Sequence, residues 1–445
     1  LTLGGSGTAV TLACGATQSG FGRSGSVNWQ TSIKTTGFTA VSGEGYFCDT
    51  SSGAFTLTLP ASPSAGDIVS ISDYAKTFDT ETLTIGRNSS NIAGIAQDSL
   101  LTTEGIAVTL VYADATKGWL VTESGLQSEA PGPEYMVASG GTTTTCGDFK
   151  IHTFTGPGCF QVTCAGNSAG NNAMEYLVVA GGGSGGNGDG THGGGGGGAG
   201  GFRFASPSLA PATYPAKPLA APTTLTATAE TFPITVGAGG AGGNSPGSNY
   251  SNNGSNSVFS TITSAGGGGG GGETFPGDPG KDGGSGGGAQ VDGTTCFTGA
   301  GNVPSVSPAQ GTPGGFTVTN PTGGYIGGGG GGGAIQAGQP APGGSGPNNA
   351  YGGPGGNGGG LPTAFGSNGV PCGSFRYYAG GGGASSRGCV PSNATGGKGG
   401  GGAASPSGGC AGTTNSGGGG GSGHGSGAGS AGGSGVVIIR YKFQN

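Results

Sequence analysis

The side chains able to do chemistry are few. His152, His192 and His424 are the only imidazoles among 445 residues. His192 and His424 adjoin glycine tracts, where an imidazole could bind a metal or, as we expect, hydrogen-bond to bare backbone. His152 falls on a hairpin arm among aromatics and reads as a packed or surface strand residue. The stretch "ATGGKGG" is close to a phosphate loop, but Gly399 stands where Ser or Thr must hold magnesium, so Lys398 reads as a solvated cation. GxGxxG recurs through composition alone and carries no dinucleotide signal. Glu230, Glu273, Asp278, Asp282 and Asp292 lie on loop segments with no implied apolar pocket to pair them as glycosidase carboxylates. No nucleophile elbow orients any of the many serines. A non-enzymatic chain with no metal and no cofactor is expected.

Recognition chemistry is better represented. "FGSNGVPCGSFRYYAG" gathers Phe365, Phe375, Arg376, Tyr377 and Tyr378, which offer stacking faces and a bidentate donor. "GPNNAYGG" adds Asn348, Asn349 and Tyr351. These are the candidate receptor-binding residues. The competing reading is that alternate residues of "SFRYY" cap the end of a packed body.

The body that would carry them has an unusual composition. Glycine supplies 116 residues, proline 26, and charged residues 8% of the chain. Twenty-five glycines precede residue 171, so 116 − 25 = 91 fall in the last 275 residues. Collagen needs glycine at every third position with abundant proline, and neither is present. A flexible linker does not explain repeated punctuation by Val, Ile, Phe and Tyr. A net charge of −6 with 14 unclustered Lys and Arg argues against nucleic-acid or anionic-membrane partners. No apolar run approaches the roughly 20 residues of a membrane span. Nine cysteines at 14, 48, 146, 159, 164, 296, 372, 389 and 410 contain no CxxC pair. Disulfides are expected, with Cys146–Cys164 and Cys372–Cys389 as the closest couples. The opening "LTLGG" has neither Met nor signal peptide, so the chain is expected to continue a longer protein or to be a processed product.

Four segments follow. Residues 1–27 read as a stem. Residues 28–125 alternate with period two, placing Phe55, Leu57 and Leu59, then Ile68 with Val69 or Ile71, then Leu83 and Ile85, Ile106, Val108 and Leu110, and Trp119 with Val121 inward. That pattern predicts an antiparallel β-sandwich. Residues 126–172 read as a hairpin connector turning at "TGPG". Residues 173–445 open with "MEYLVVAGGG" and close with "GVVIIRYKF", two aliphatic strands expected to pair and close a glycine-rich domain.

Ordering glycine costs more backbone entropy than ordering any other residue, so the tracts need compensation. Glycine can adopt an extended threefold helix rising about 3.1 Å per residue, with no internal hydrogen bonds. Its N–H and C=O groups radiate in three directions, and neighbouring helices satisfy one another where no Cβ separates them. A run of seven glycines crosses such a lattice over about 22 Å. Gly193, Gly269, Gly330 and Gly419 are expected to be interior structural positions, with the loops between tracts at the edges carrying function.

These motifs carry a resemblance. "EYLVVAGGGSGG", "ITVGAGGAGG", "FSTITSAGGGGGG", "AGTTNSGGGGG" and "GGSGVVIIRY" look like the glycine-rich domain ending the tail fibres of many marine tailed phages. "GYFCDTSSGAFTLTLPASPSAGDIVSISDYA", "VTLVYADATKGWLVT" and "GDFKIHTFTGPGCFQV" resemble the β-rich module and connector of the same fibres, so the likeness covers about residues 28–443. The resemblance implies an all-β homotrimeric virion fibre whose distal adhesin, built of polyglycine II helices, binds a host receptor, either outer-membrane protein or polysaccharide. Other tail proteins would be its virion partners. The insert at 206–232 and the cysteines depart from the usual pattern. An ice-binding or surface-coating protein and a polysaccharide depolymerase are the alternatives.

Overall fold

The computed structural model describes residues 27–126, 134–167, 170–188, 192–243, 251–272, 279–290, 297–317, 327–342, 351–386, 394–405, 408–424 and 427–444. The chain divides into two compact units, Leu1–Gly132 and Pro133–Asn445. The described residues are all-β, with only short 3₁₀ turns and no α-helix.

The first unit contains β1 (Asn28–Trp29), β2 (Phe38–Thr39), β3 (Glu44–Cys48), β4 (Phe55–Thr58), β5 (Ile68–Asp73), β6 (Leu83–Gly86), β7 (Ser99–Leu101), β8 (Ile106–Asp114) and β9 (Gly118–Leu126). They form two sheets in the orders β1-β3-β5-β8-β9 and β2-β4-β6-β7. Leu57, Leu59, Val69, Ile71, Leu83, Ile85, Leu110 and Trp119 share one core drawn from both sheets, as the alternation predicts except in β5, where Val69 and Ile71 enter this core and Ile68 does not. The antiparallel expectation needs correction. β1–β3, β3–β5, β2–β4 and β4–β6 are parallel pairs, and only β5–β8, β8–β9 and β6–β7 are antiparallel. The first six strands alternate between the sheets, so successive strands of one sheet are joined through a strand of the other and keep one direction. Period two reports which face is buried and says nothing of strand direction. Val121 is also corrected: on edge strand β9 it is 55% exposed. A polar anchor completes the unit. Buried Asp73 accepts the N–H groups of Thr77, Phe78 and Gly105 at 3.2, 3.3 and 2.9 Å, pinning two loops to the end of β5.

The second unit contains β10 (Val137–Ser139), β11 (Thr142–Cys146), β12 (Phe149–Phe154), β13 (Gly158–Cys164), β14 (Ala173–Val179), β15 (Phe202–Ala205), β16 (Leu225–Thr226), β17 (Thr231–Thr235), β18 (Ser257–Phe259), β19 (Ile262–Ser264), β20 (Gly359–Pro362), β21 (Val370–Cys372), β22 (Phe375–Tyr378) and β23 (Val436–Lys442). The pairing of the first and last aliphatic segments is borne out, with β14 antiparallel to β23 from Glu175↔Arg440 to Val179↔Val436. Both strands are apolar apart from the opposed Glu175 and Arg440 and the terminal Lys442, because both faces are covered. Met174, Tyr176, Val178, Val437, Ile439 and Tyr441 enter one core, while Leu177, Val179, Val436 and Ile438 enter another. The hairpin drawn as a connector is built into this unit: β12 pairs with β23, and β13 pairs with β17. Cys146 and Cys164 sit on strands of different sheets, and both are free thiols, as is Cys372. Cys389 lies outside the described residues.

His152 of β12 is fully buried. Its Nδ1 lies 2.6 Å from the Gly140 carbonyl, which makes that nitrogen the protonated donor, and its ring stacks on Tyr441. Burial holds its pKa below the ordinary 6.5, against the opposing effect of the Gly140 bond. The neutral form is favoured in the fold, so stability is constant above the unfolded value and declines as pH falls through it toward the lower folded value. Urea midpoints should therefore drop between about pH 7 and pH 5, and His152→Leu should remove that part of the slope.

The glycine tracts supply the rest of the unit, and their hydrogen bonds have a period of three. In the tract at 180–188, Gly181 and Ser184 donate to Ser255 and Asn252, Gly182 and Gly185 to Gly433 and Ser430, and Gly183 and Gly186 to Gly198 and Gly195, at 2.8–3.1 Å. Its carbonyls accept from three further tracts: Gly240 to Gly182, Gly267 and Gly270 to Gly181 and Ser184, and Gly420 and Gly423 to Gly183 and Gly186. The tract at 193–201 is likewise surrounded. It donates to 265–271, 329–332 and 417–420, and accepts from 183–186, 285–288 and residue 382. Backbone partners on all sides offset the entropy of ordering glycine, which is why these runs need no side chains.

Outer tracts turn one position in three away from their neighbours. Ala238 and Ala241 are exposed at that spacing, as are Pro313 and Phe316. Proline lacks an N–H, so Pro313 and Pro354 can stand only where that donor has no inward partner; their carbonyls still accept from Gly338 and Gln339. Sheet edges are blocked in the same way. Replacing Pro313 and Pro354 together by glycine should leave the unit folded and increase its self-association, read by light scattering.

Candidate functional site

The tracts give the second unit two distinct ends. At one end they run directly into strands: 180 follows β14, 201 precedes β15, 236 follows β17, 256 precedes β18, 265 follows β19, 358 precedes β20, 379 follows β22 and 435 precedes β23. At the other end outgoing and returning tracts meet. Asn187 and Ser405 both bridge to Gly423 there. Gly195 donates to Gly271, Gly328 donates to the Ser385 carbonyl, and Gly194 donates to Ser385 Oγ at 2.8 Å. Gly243 donates to Gly429. The flanks of the tract connections thus gather at the end remote from the sheets.

The predicted site residues divide between these ends. Asn348 and Asn349 lie outside the described residues, while half-buried Tyr351 opens a returning tract at the remote end. The aromatic segment belongs to the opposite end. β20, β22 and β21 form a three-stranded sheet with Pro362 opposite Phe375, Gly360 opposite Tyr377 and Gly359 opposite Tyr378. Phe365 and Tyr378 are each 1% exposed in the core beside Ile438, and Phe365 meets the Phe204 ring edge-on at 5.1 Å. Tyr378 donates its hydroxyl to the Asn368 carbonyl at 2.6 Å, and burial raises its pKa. Tyr377 is 9% exposed, and Phe375 is half-buried against the same core. Arg376 is half-buried as well. The receptor assignment for Phe365 and Tyr378 is therefore corrected. Their two rings complete a hydrophobic core against which Phe375 packs.

The four glycines stand inside the lattice. A Cβ built at Gly193, Gly330 or Gly419 comes within 3.0 Å of neighbouring backbone, and one at Gly269 comes within 3.0 Å of Ser251. Lys398 lies over the Tyr377 ring at 5.8 Å, with its N–H donating to Asn357. His192 and His424 both fall at the remote end. Among the described residues no group of three His, Cys, Asp or Glu is placed to hold a metal. Among the described residues no helix is long and apolar enough to cross a membrane.

The sequence reading missed Phe297 and Phe316, which are 62% and 52% exposed on outer tracts. The available signal was the spacing of three within "FTGAGN" and "GTPGGFT", which sets Phe297 with Ala300 and Pro313 with Phe316.

A lattice of glycine tracts closed by a β14–β23 pair defines a class of glycine-rich domain. The family model described as "Glycine-rich domain" matches residues 155–442, and the chain belongs to that family. No curated protein matches the chain.

Proposed function

We propose that the chain is a non-enzymatic adhesin of a tailed-phage fibre, carried on the virion, that attaches to a host surface receptor. The observation supporting this reading most directly is the two-ended lattice, which gathers the flanks of its connections at the end remote from the sheets. Loops held on a rigid body lose little entropy on binding, which is the arrangement recognition surfaces use. The threefold hydrogen bonding supports polyglycine II helices as the lattice element. A homotrimer joined to other tail proteins would add avidity when several weak sites engage together. Ice binding needs a regular face of small residues, whereas the outward positions include Phe297, Pro313 and Phe316.

The test is saturable binding of the labelled full chain to a panel of marine bacterial cells. Saturable binding to some strains, blocked by unlabelled chain, is expected. Its absence on every strain would overturn the proposal.

A further inference from the structure

The outer face formed by tracts 297–303 and 311–317 carries the two most exposed phenylalanines among the described residues, which the lattice does not explain. Gly314 donates to Gly299, and a Cβ at Gly301 would meet Thr312, so the tracts run antiparallel with 299 opposite 314 and 301 opposite 312. That register sets Phe297 opposite Phe316 and Ala300 opposite Pro313. Phe297, Ala300 and Val303 repeat at spacing three on one tract, and Pro313 and Phe316 on the other, so successive outward residues stand about 9 Å apart. All five are exposed, the two rings by 62% and 52%. Two large exposed rings at opposed positions of neighbouring tracts are costly on a water-facing surface and mark an interaction site.

We propose that this face is a stacking platform for a neutral polysaccharide. The backbone beneath it is already committed. Phe297 accepts from Gly280, Phe316 accepts from Ala341, Pro313 has no N–H, and Ala300 donates to Asp282 Oδ1 at 2.6 Å. An added peptide strand therefore finds no ladder to extend. The paired outward rows offer rings in place of the groove that a partner helix would need. A sugar ring has an apolar C–H face and a rim of hydroxyls. The phenyl faces suit the first, and exposed Asp282, whose Oδ1 is fixed against Ala300, brings a carboxylate acceptor for the second. The platform names polysaccharide as the receptor class and rests on the adhesion reading.

The full chain should be titrated calorimetrically with neutral gluco-, manno- and galacto-oligosaccharides. At least one series should bind. Phe297→Ala and Phe316→Ala should each weaken it about tenfold, and Asp282→Asn should weaken it while retaining the bond from Ala300. Unchanged melting temperatures would show that the fold is intact. Failure of every series to bind, or unchanged binding by the double phenylalanine variant, would overturn the platform. Cell attachment that survives the double variant would overturn the platform and leave adhesion standing. Sugar binding without cell attachment by the native chain would do the reverse.

Discussion

Gly419→Val should unfold the glycine-rich unit or destabilise it by about 3 kcal/mol or more, beyond ordinary overpacking. A Cβ at Gly419 is aimed at the Gly197 carbonyl and the Gly382 amide, which belong to backbone with no rotamer to change. Those neighbours are bonded to each other and to further backbone: Gly382 donates to Gly197 and accepts from Gly331, and Gly197 donates to Gly420. Displacing one tract therefore breaks ladders with several others. The control is Ala241→Val, at an outward, exposed position, which should change stability by no more than about 0.5 kcal/mol. Calorimetric melts of the two variants should differ accordingly.

The second large effect concerns the β14–β23 closure. Glu175 and Arg440 are opposed across the two strands, paired as ions and each 5% exposed in the side chain. Ser206 and Ser208 donate to the carboxylate at 2.8 and 2.5 Å, and the guanidinium stacks on Phe149. Arg440→Met leaves a buried carboxylate without its counter-ion and should cost about 3–5 kcal/mol. The double variant Glu175→Met/Arg440→Met removes both charges and should recover most of that loss. A chemical-denaturation cycle across the four proteins would show it, and additive losses would mean the pair is not coupled.

The sequence made the closure legible because strands buried on both faces need near-continuous apolar runs, and "YLVVA" and "GVVII" supply them beside one opposed charge each, Glu175 and Arg440. The glycine lattice was legible from composition and the rejection of collagen and linker. Tract direction was not. A run without side chains carries no mark of which end leaves a sheet, so "SFRYY" could be placed at either end, and only the pairing of β20 with β22 fixes it beside Ile438. For the same reason Tyr377, which read as a candidate contact residue, is a buried position. Its ring stands where a Cβ at Gly360 would come within 3.0 Å, so removing it empties packed space. In the first unit, alternation revealed the inward faces and hid the parallel pairings, since the same side-chain period serves both directions. Outward positions at every third residue were visible in the sequence, but their meaning required knowing which tracts form the outer surface.

Amide hydrogen exchange tests the central structural claim most directly. Peptides covering 180–188, 193–201, 327–333, 379–386 and 418–424 should be protected as strongly as β14 and β23, because their N–H groups are bonded to other tracts and buried. Exchange of these glycines at the rate of an unstructured chain, with β14 and β23 still protected, would contradict the lattice.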